Sequence, residues 1–78
     1  MRGYHVTSEK KYKKYLKSGR ILAPVRFFPD LIRARQWAHR VKRTVLLEIE
    51  VDEAEAEVIP DFRTAYQVNR DVSTWSEL

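Results

Sequence analysis

A histidine and a threonine stand two residues apart in Tyr4-His5-Val6-Thr7-Ser8. On an extended segment side chains alternate between faces, so His5 and Thr7 point one way and Tyr4 and Val6 the other. Ser8 follows as a candidate helix N-cap, with Glu9 in the first turn where the helix dipole favours an acid. The free backbone N–H groups of such a helix N-terminus suit a phosphate or a ribose hydroxyl. An imidazole, a hydroxyl and those N–H groups together would make a compact polar floor at the edge of a sheet. The plainer alternative is an ordinary surface histidine on an edge strand.

Other chemistries find little support. Two His and no Cys cannot build a structural zinc site, so no metal is expected. Neither Gly3 nor Gly19 lies in a phosphate-cradling glycine-rich loop, and no Gly-x-Ser-x-Gly elbow is present. No carboxylate pair stands out for hydrolase work, and no residue is singled out as catalytic.

Charge divides the chain. Residues 1 to 43 hold 13 of the 15 Lys and Arg against Glu9 and Asp30, a local balance of +11. Residues 44 to 78 hold Arg63 and Arg70 against nine acids, a balance of −7. A basic half beside an acidic half points to an anionic partner for one face, or to self-association through both as a homo-oligomer. Lys10, Lys11, Lys13, Lys14 and Lys17 crowd the first helix, interleaved with Tyr12 and Tyr15. Basic side chains neutralise phosphates and exposed aromatics stack on bases, so Lys10, Lys13, Lys14 and Lys17 are the candidate nucleic-acid contacts of a non-enzymatic basic module. An acidic protein would meet the same charges. Against this, Tyr12, Tyr15 and Leu16 fit a buried stripe, which would leave the lysines as a solvated face.

Residues Gly3 to Thr7 read as the strand that must position His5, followed by a helix closed at Gly19, a favoured residue just past a helix end. Val25 to Phe28 reads as a short strand. Asp30 caps a second helix whose Leu31, Ala34, Trp37, Ala38 and Val41 recur at helical spacing, with Arg33, Arg35, Arg40, Lys42 and Arg43 elsewhere on it. Thr44 to Val51 is the clearest strand, alternating Val45, Leu47, Ile49 and Val51 with Leu46, Glu48 and Glu50. Asp52 to Glu57 reads as a turn or a single helical turn. Val58-Ile59 is a short apolar segment closed by Pro60-Asp61, and Ala65 to Val68 a strand with Tyr66 and Val68 inward. Asp71 to Leu78 is polar around one anchor, Trp75. The expected fold is α+β: a small mixed sheet of four to five strands with two packed helices, ordered β-α-β-α-β-β and optionally a further strand.

The 78 residues make a single domain spanning 1–78, with 44% aliphatic and aromatic residues to form a core. No apolar run approaches the roughly 20 residues of a membrane span, and the opening Met1-Arg2-Gly3-Tyr4-His5 lacks a signal-peptide stretch, so a cytoplasmic protein is expected. Abundant Arg and Glu, one Asn, one Met and no Cys match the profile of heat-adapted, thermophilic proteins.

The chain resembles the ADP-ribosyltransferase-like fold, which also includes the RNA 2′-phosphotransferases. The resemblance rests on Tyr4-His5-Val6-Thr7, the helix ending at Gly19, the strand Val25-Arg26-Phe27-Phe28, the segment Ala34-Arg35-Gln36-Trp37-Ala38, and the strand Val45 to Asp52. It covers roughly residues 3 to 70, and its one specific motif is the Tyr-His-x-Thr segment. The resemblance implies that His5 contacts the ribose of a dinucleotide such as NAD and that Thr7 supports it. It also implies that Arg26, or an arginine of the second helix, takes a phosphate, for which the planar guanidinium is suited. The chain departs from the family pattern in carrying Phe27 where a tyrosine is usual. Glu77 is the one late acid available for activating an acceptor, and His39 lies at no matching position.

Overall fold

The structure is a computed structural model that describes residues 1–60 and 62–78, apart from the side chains of residues 62–64. The reading of Pro60-Asp61 as a closing turn therefore lies partly outside the described residues, as does any role of Arg63.

The fold is α+β, in the order β1 (Arg2–Thr7), α1 (Glu9–Ser18), β2 (Val25–Phe27), α2 (Leu31–Arg40), β3 (Val45–Glu50), β4 (Glu57–Ile59), β5 (Phe62–Val68) and β6 (Trp75–Glu77). A 3-10 turn at Glu53–Glu55, capped by the Asp52 carboxylate on the Ala54 N–H, precedes β4. Strands β1, β3 and β6 form one sheet in that order, and β2, β5 and β4 form a second. This corrects the expectation of one mixed sheet: the described strands form two sheets, and every pairing is antiparallel. Helical connections would permit parallel neighbours, but the strands that pair across α1 and α2 are not sequential ones, and each enters from the opposite end. A backbone bridge between Tyr4 and Phe28 ties the edge of the first sheet to the end of β2.

Alternation decides the core. Val45, Leu47 and Ile49 on β3 are buried, while Leu46, Glu48 and Glu50 are half-buried or exposed. These buried residues meet Val25, Phe27 and Val68 of the second sheet, with Ile21 and Val72 joined across a bridge beside them. Gly3 lies against the Phe27 ring, where a side chain would collide with it. Ala34 of α2 is fully buried, and α2 packs on β1 and β3.

The caps fix both ends of α1 and the start of α2. Ser8 Oγ accepts from the Lys11 N–H, and Gly19 takes the left-handed φ of 76° that a glycine adopts without strain. Asp30 accepts from the Ile32 N–H at the start of α2. The expected stripe on α1 is narrower than its spacing suggests. Tyr15 is buried and Tyr12 half-buried, but Leu16 is 57% exposed.

Candidate functional site

His5 sits on β1 opposite Leu47, on the side of the sheet that faces α1 and β2. Its Nδ1 lies 2.6 Å from the Arg26 carbonyl oxygen. A carbonyl can only accept, so Nδ1 carries the proton and donates. In the neutral ring Nε2 is then an acceptor, and the Tyr15 hydroxyl stands 3.4 Å from it. The Tyr15 and His5 ring centroids are 5.9 Å apart. Burial lowers the His5 pKa from its ordinary 6.5. The hydrogen bond to Arg26 opposes that shift, and the positive charges of Lys11 and Arg43 reinforce it. His5 is thus a neutral, oriented acceptor at pH 7.

This acceptor lines a cleft of about 560 Å³, within the size range of small-molecule sites. Four cations border it: Lys11 and Lys14 from α1, Arg26 from β2 and Arg43 from the segment after α2. Among the described residues no carboxylate lines it, and Lys11, Lys14 and Arg43 have no ion-pair partner. Phe27, Phe28 and Trp37 supply apolar wall.

Local sequence explains the arrangement. Lys11, Lys14 and Tyr15 are three and four residues apart and so share one face of α1. Arg26 alternates with the buried Val25 and Phe27, which turns its side chain outward. Its Nε donates to Gln67 Oε1 on the neighbouring strand at 3.2 Å, while its carbonyl holds His5. Lys42 takes a left-handed φ of 56° after α2, and the chain turns there to bring Arg43 to the cleft.

The structure brings together His5 and Arg26 of the residues expected at a nucleotide site. Thr7 is not brought there. It is 1% exposed, does not line the cleft, and its Oγ1 has no hydrogen-bond partner among the described residues. Of Lys10, Lys13, Lys14 and Lys17, Lys14 reaches the cleft, whereas Lys10, Lys13 and Lys17 are exposed elsewhere on α1. Glu77 accepts from the Tyr12 hydroxyl at 3.1 Å and lies outside the cleft lining, and His39 is exposed on α2. Sequence reasoning overlooked Lys11 and Tyr15 as site residues, and it included Arg43 only as one of several arginines assigned to the second helix, which ends at Arg40. The signal for Lys11 and Tyr15 was their helical register with Lys14; nothing local set Arg43 apart from the other arginines assigned to the second helix.

No group of three or more metal-ligating side chains occurs among the described residues. No helix among them is long and apolar enough to cross a membrane. No protein-family model, curated protein or solved structure matches the chain.

Proposed function

We propose that this protein is a small ADP-ribosyltransferase-like domain that binds a nucleotide of NAD type, or a nucleic-acid phosphate, in the His5 cleft. The observation that carries the reading is His5, its Nδ1 held by the Arg26 carbonyl, set among four cations with no carboxylate among the described lining residues. Such a lining suits a ligand that brings negative charge and hydroxyl donors together. His5 Nε2 accepts from a ribose hydroxyl. Arg26, Lys11, Lys14 and Arg43 take the phosphates, Arg26 by its planar fork. Phe28 and Trp37 offer flat apolar wall to a base.

The elements on which the resemblance rests also occur in the stated order, from β1 with its Tyr-His-x-Thr segment through α1 to Gly19, β2, α2 and β3. NAD suits this lining through its pyrophosphate and ribose hydroxyls. When bound it would supply a transferable ADP-ribose group; the residues named here bind and orient it. The role given to His5 is hydrogen bonding, not general-base catalysis.

A second reading is a non-enzymatic basic module that binds nucleic acid or an acidic protein over the outer face of α1. It is favoured by Lys10, Lys13 and Lys17, which are exposed and have no ion-pair partner among the described residues.

Thermal melting separates the two. A ligand at a hundred times its Kd stabilises by about 2.7 kcal/mol, which for a chain of this size raises Tm by roughly 11–22 °C. His5→Ala abolishes the NAD-dependent rise, and the Lys10→Gln/Lys13→Gln/Lys17→Gln triple variant retains it. A rise that survives His5→Ala but vanishes in the triple variant would reverse the assignment.

A further inference from the structure

On the outer side of α2 a second depression of about 650 Å³ lies open to solvent. Arg33, Gln36 and Arg40 line it, together with Asp30 and Ile32. Phe28 and Trp37 line both this groove and the His5 cleft, so the two rings stand at the boundary between them. Their centroids are 6.4 Å apart at an interplanar angle of 48°. Cations therefore flank an aromatic pair on both sides: Arg26, Lys11, Lys14 and Arg43 in the cleft, Arg33 and Arg40 in the groove. Arg33 approaches Asp30 at 3.6 Å, with both side chains about half exposed. Arg40 is exposed and has no ion-pair partner among the described residues.

We propose that this groove is a second nucleotide subsite, so that the protein holds two adjoining nucleotides of a single-stranded nucleic acid across the Phe28–Trp37 boundary. The proposal rests on the reading that the cleft takes a nucleotide. Proteins that hold single strands combine a cationic track for the backbone with aromatic rings on which bases stack. Both features are present here, and in alternation. An acidic peptide would satisfy the arginines but meets the aromatic boundary only where it carries an aromatic side chain, whereas every nucleotide brings a flat base to it. The Gln36 amide, with two donors and an acceptor, can meet a base edge inside the groove.

The test compares ADP with a six-nucleotide single-stranded RNA, by calorimetry and fluorescence anisotropy. The wild-type protein binds the hexamer at least tenfold more tightly than ADP. Arg33→Gln/Arg40→Gln loses at least tenfold in hexamer affinity, leaves ADP affinity within twofold, and lowers the slope of log K against log salt by about 1.4. Arg40→Gln alone, which breaks no ion pair among the described residues, moves hexamer binding in the same direction. The Lys10→Gln/Lys13→Gln/Lys17→Gln variant, on the far face of α1, changes it less.

If ADP binds but the hexamer binds no tighter, the second subsite is wrong while the cleft reading stands. Hexamer binding that ignores Arg33 and Arg40, or that falls equally in the triple lysine variant, also overturns it. If ADP does not bind at all, the cleft reading fails, and the proposal fails with it.

Discussion

Gly3→Ala tests how the sheets hold the site. Gly3 is buried on β1, and a methyl group there would overlap Cδ2 of Phe27 and lie 2.7 Å from Cε2 and 3.0 Å from Cγ. Carbon atoms in good contact sit about 3.5–4.0 Å apart, so the ring would have to withdraw by about 1 Å. It has little room to do so. Phe27 is 1% exposed and already stacks on Tyr66, with centroids 5.8 Å apart. Overpacking of this kind costs about 1–3 kcal/mol, and a clash with a buried ring belongs at the upper end. At about 3 kcal/mol the Tm falls by roughly 12–24 °C.

The effect reaches the site, because Phe27 follows Arg26, whose carbonyl orients His5. Gly3→Ala therefore also weakens NAD-dependent stabilisation. Phe27→Leu shrinks the obstacle, so in that background Gly3→Ala costs at least about 1 kcal/mol less, a coupling typical of residues in contact. Chemical denaturation of the four proteins of the cycle measures this. A Gly3→Ala protein within about 0.5 kcal/mol of wild type, or additive effects in the cycle, would refute the packing argument.

Two further outcomes follow from individual side chains. The folded-state pKa of His5 is lowered, so between that value and 6.5 the unfolded chain binds more protons than the folded one; the stability due to neutral His5 is full above pH 6.5 and is lost as pH falls through the folded value. His5→Gln flattens that part of the stability–pH curve, and a His5 resonance titrating at or above 6.5 would contradict the geometry. Thr7→Val removes a buried hydroxyl with no partner among the described residues and keeps the shape, so it leaves stability unchanged or raises it by on the order of 1 kcal/mol without weakening nucleotide binding; a loss of either shows that the hydroxyl is in use.

Much of the fold was legible because local chemistry agreed with tertiary demand. Ser8, Gly19 and Asp30 mark helix ends by the hydrogen bonds and backbone angles they favour, and they are the observed caps. Val45, Leu47 and Ile49 alternate because one face of β3 is buried, and Val68 is likewise fully buried on β5. Leu16 misled because α1 buries only Tyr15 fully, so a hydrophobic residue one position on is left exposed. Strand β6 was hidden because Trp75-Ser76-Glu77 is short and polar and is fixed by pairing with β3, nearly thirty residues earlier. The division into two sheets depends on such distant pairings and leaves no local trace.

The site shows the same split. His5 and Arg26 stood out by type and place, but their link through a carbonyl 21 residues away did not. Alternation put His5 and Thr7 on one face without revealing that Thr7 lies under the core while His5 reaches the cleft.

The most direct measurement is a long-range proton–nitrogen correlation spectrum of the histidine rings during titration with NAD. Before ligand is added, His5 Nδ1 should carry the proton and Nε2 should be bare. NAD then shifts the His5 Nε2 resonance saturably, while His39 stays unmoved. A protonated Nε2 in the free protein, or saturable binding that leaves the His5 ring unperturbed, would contradict the account.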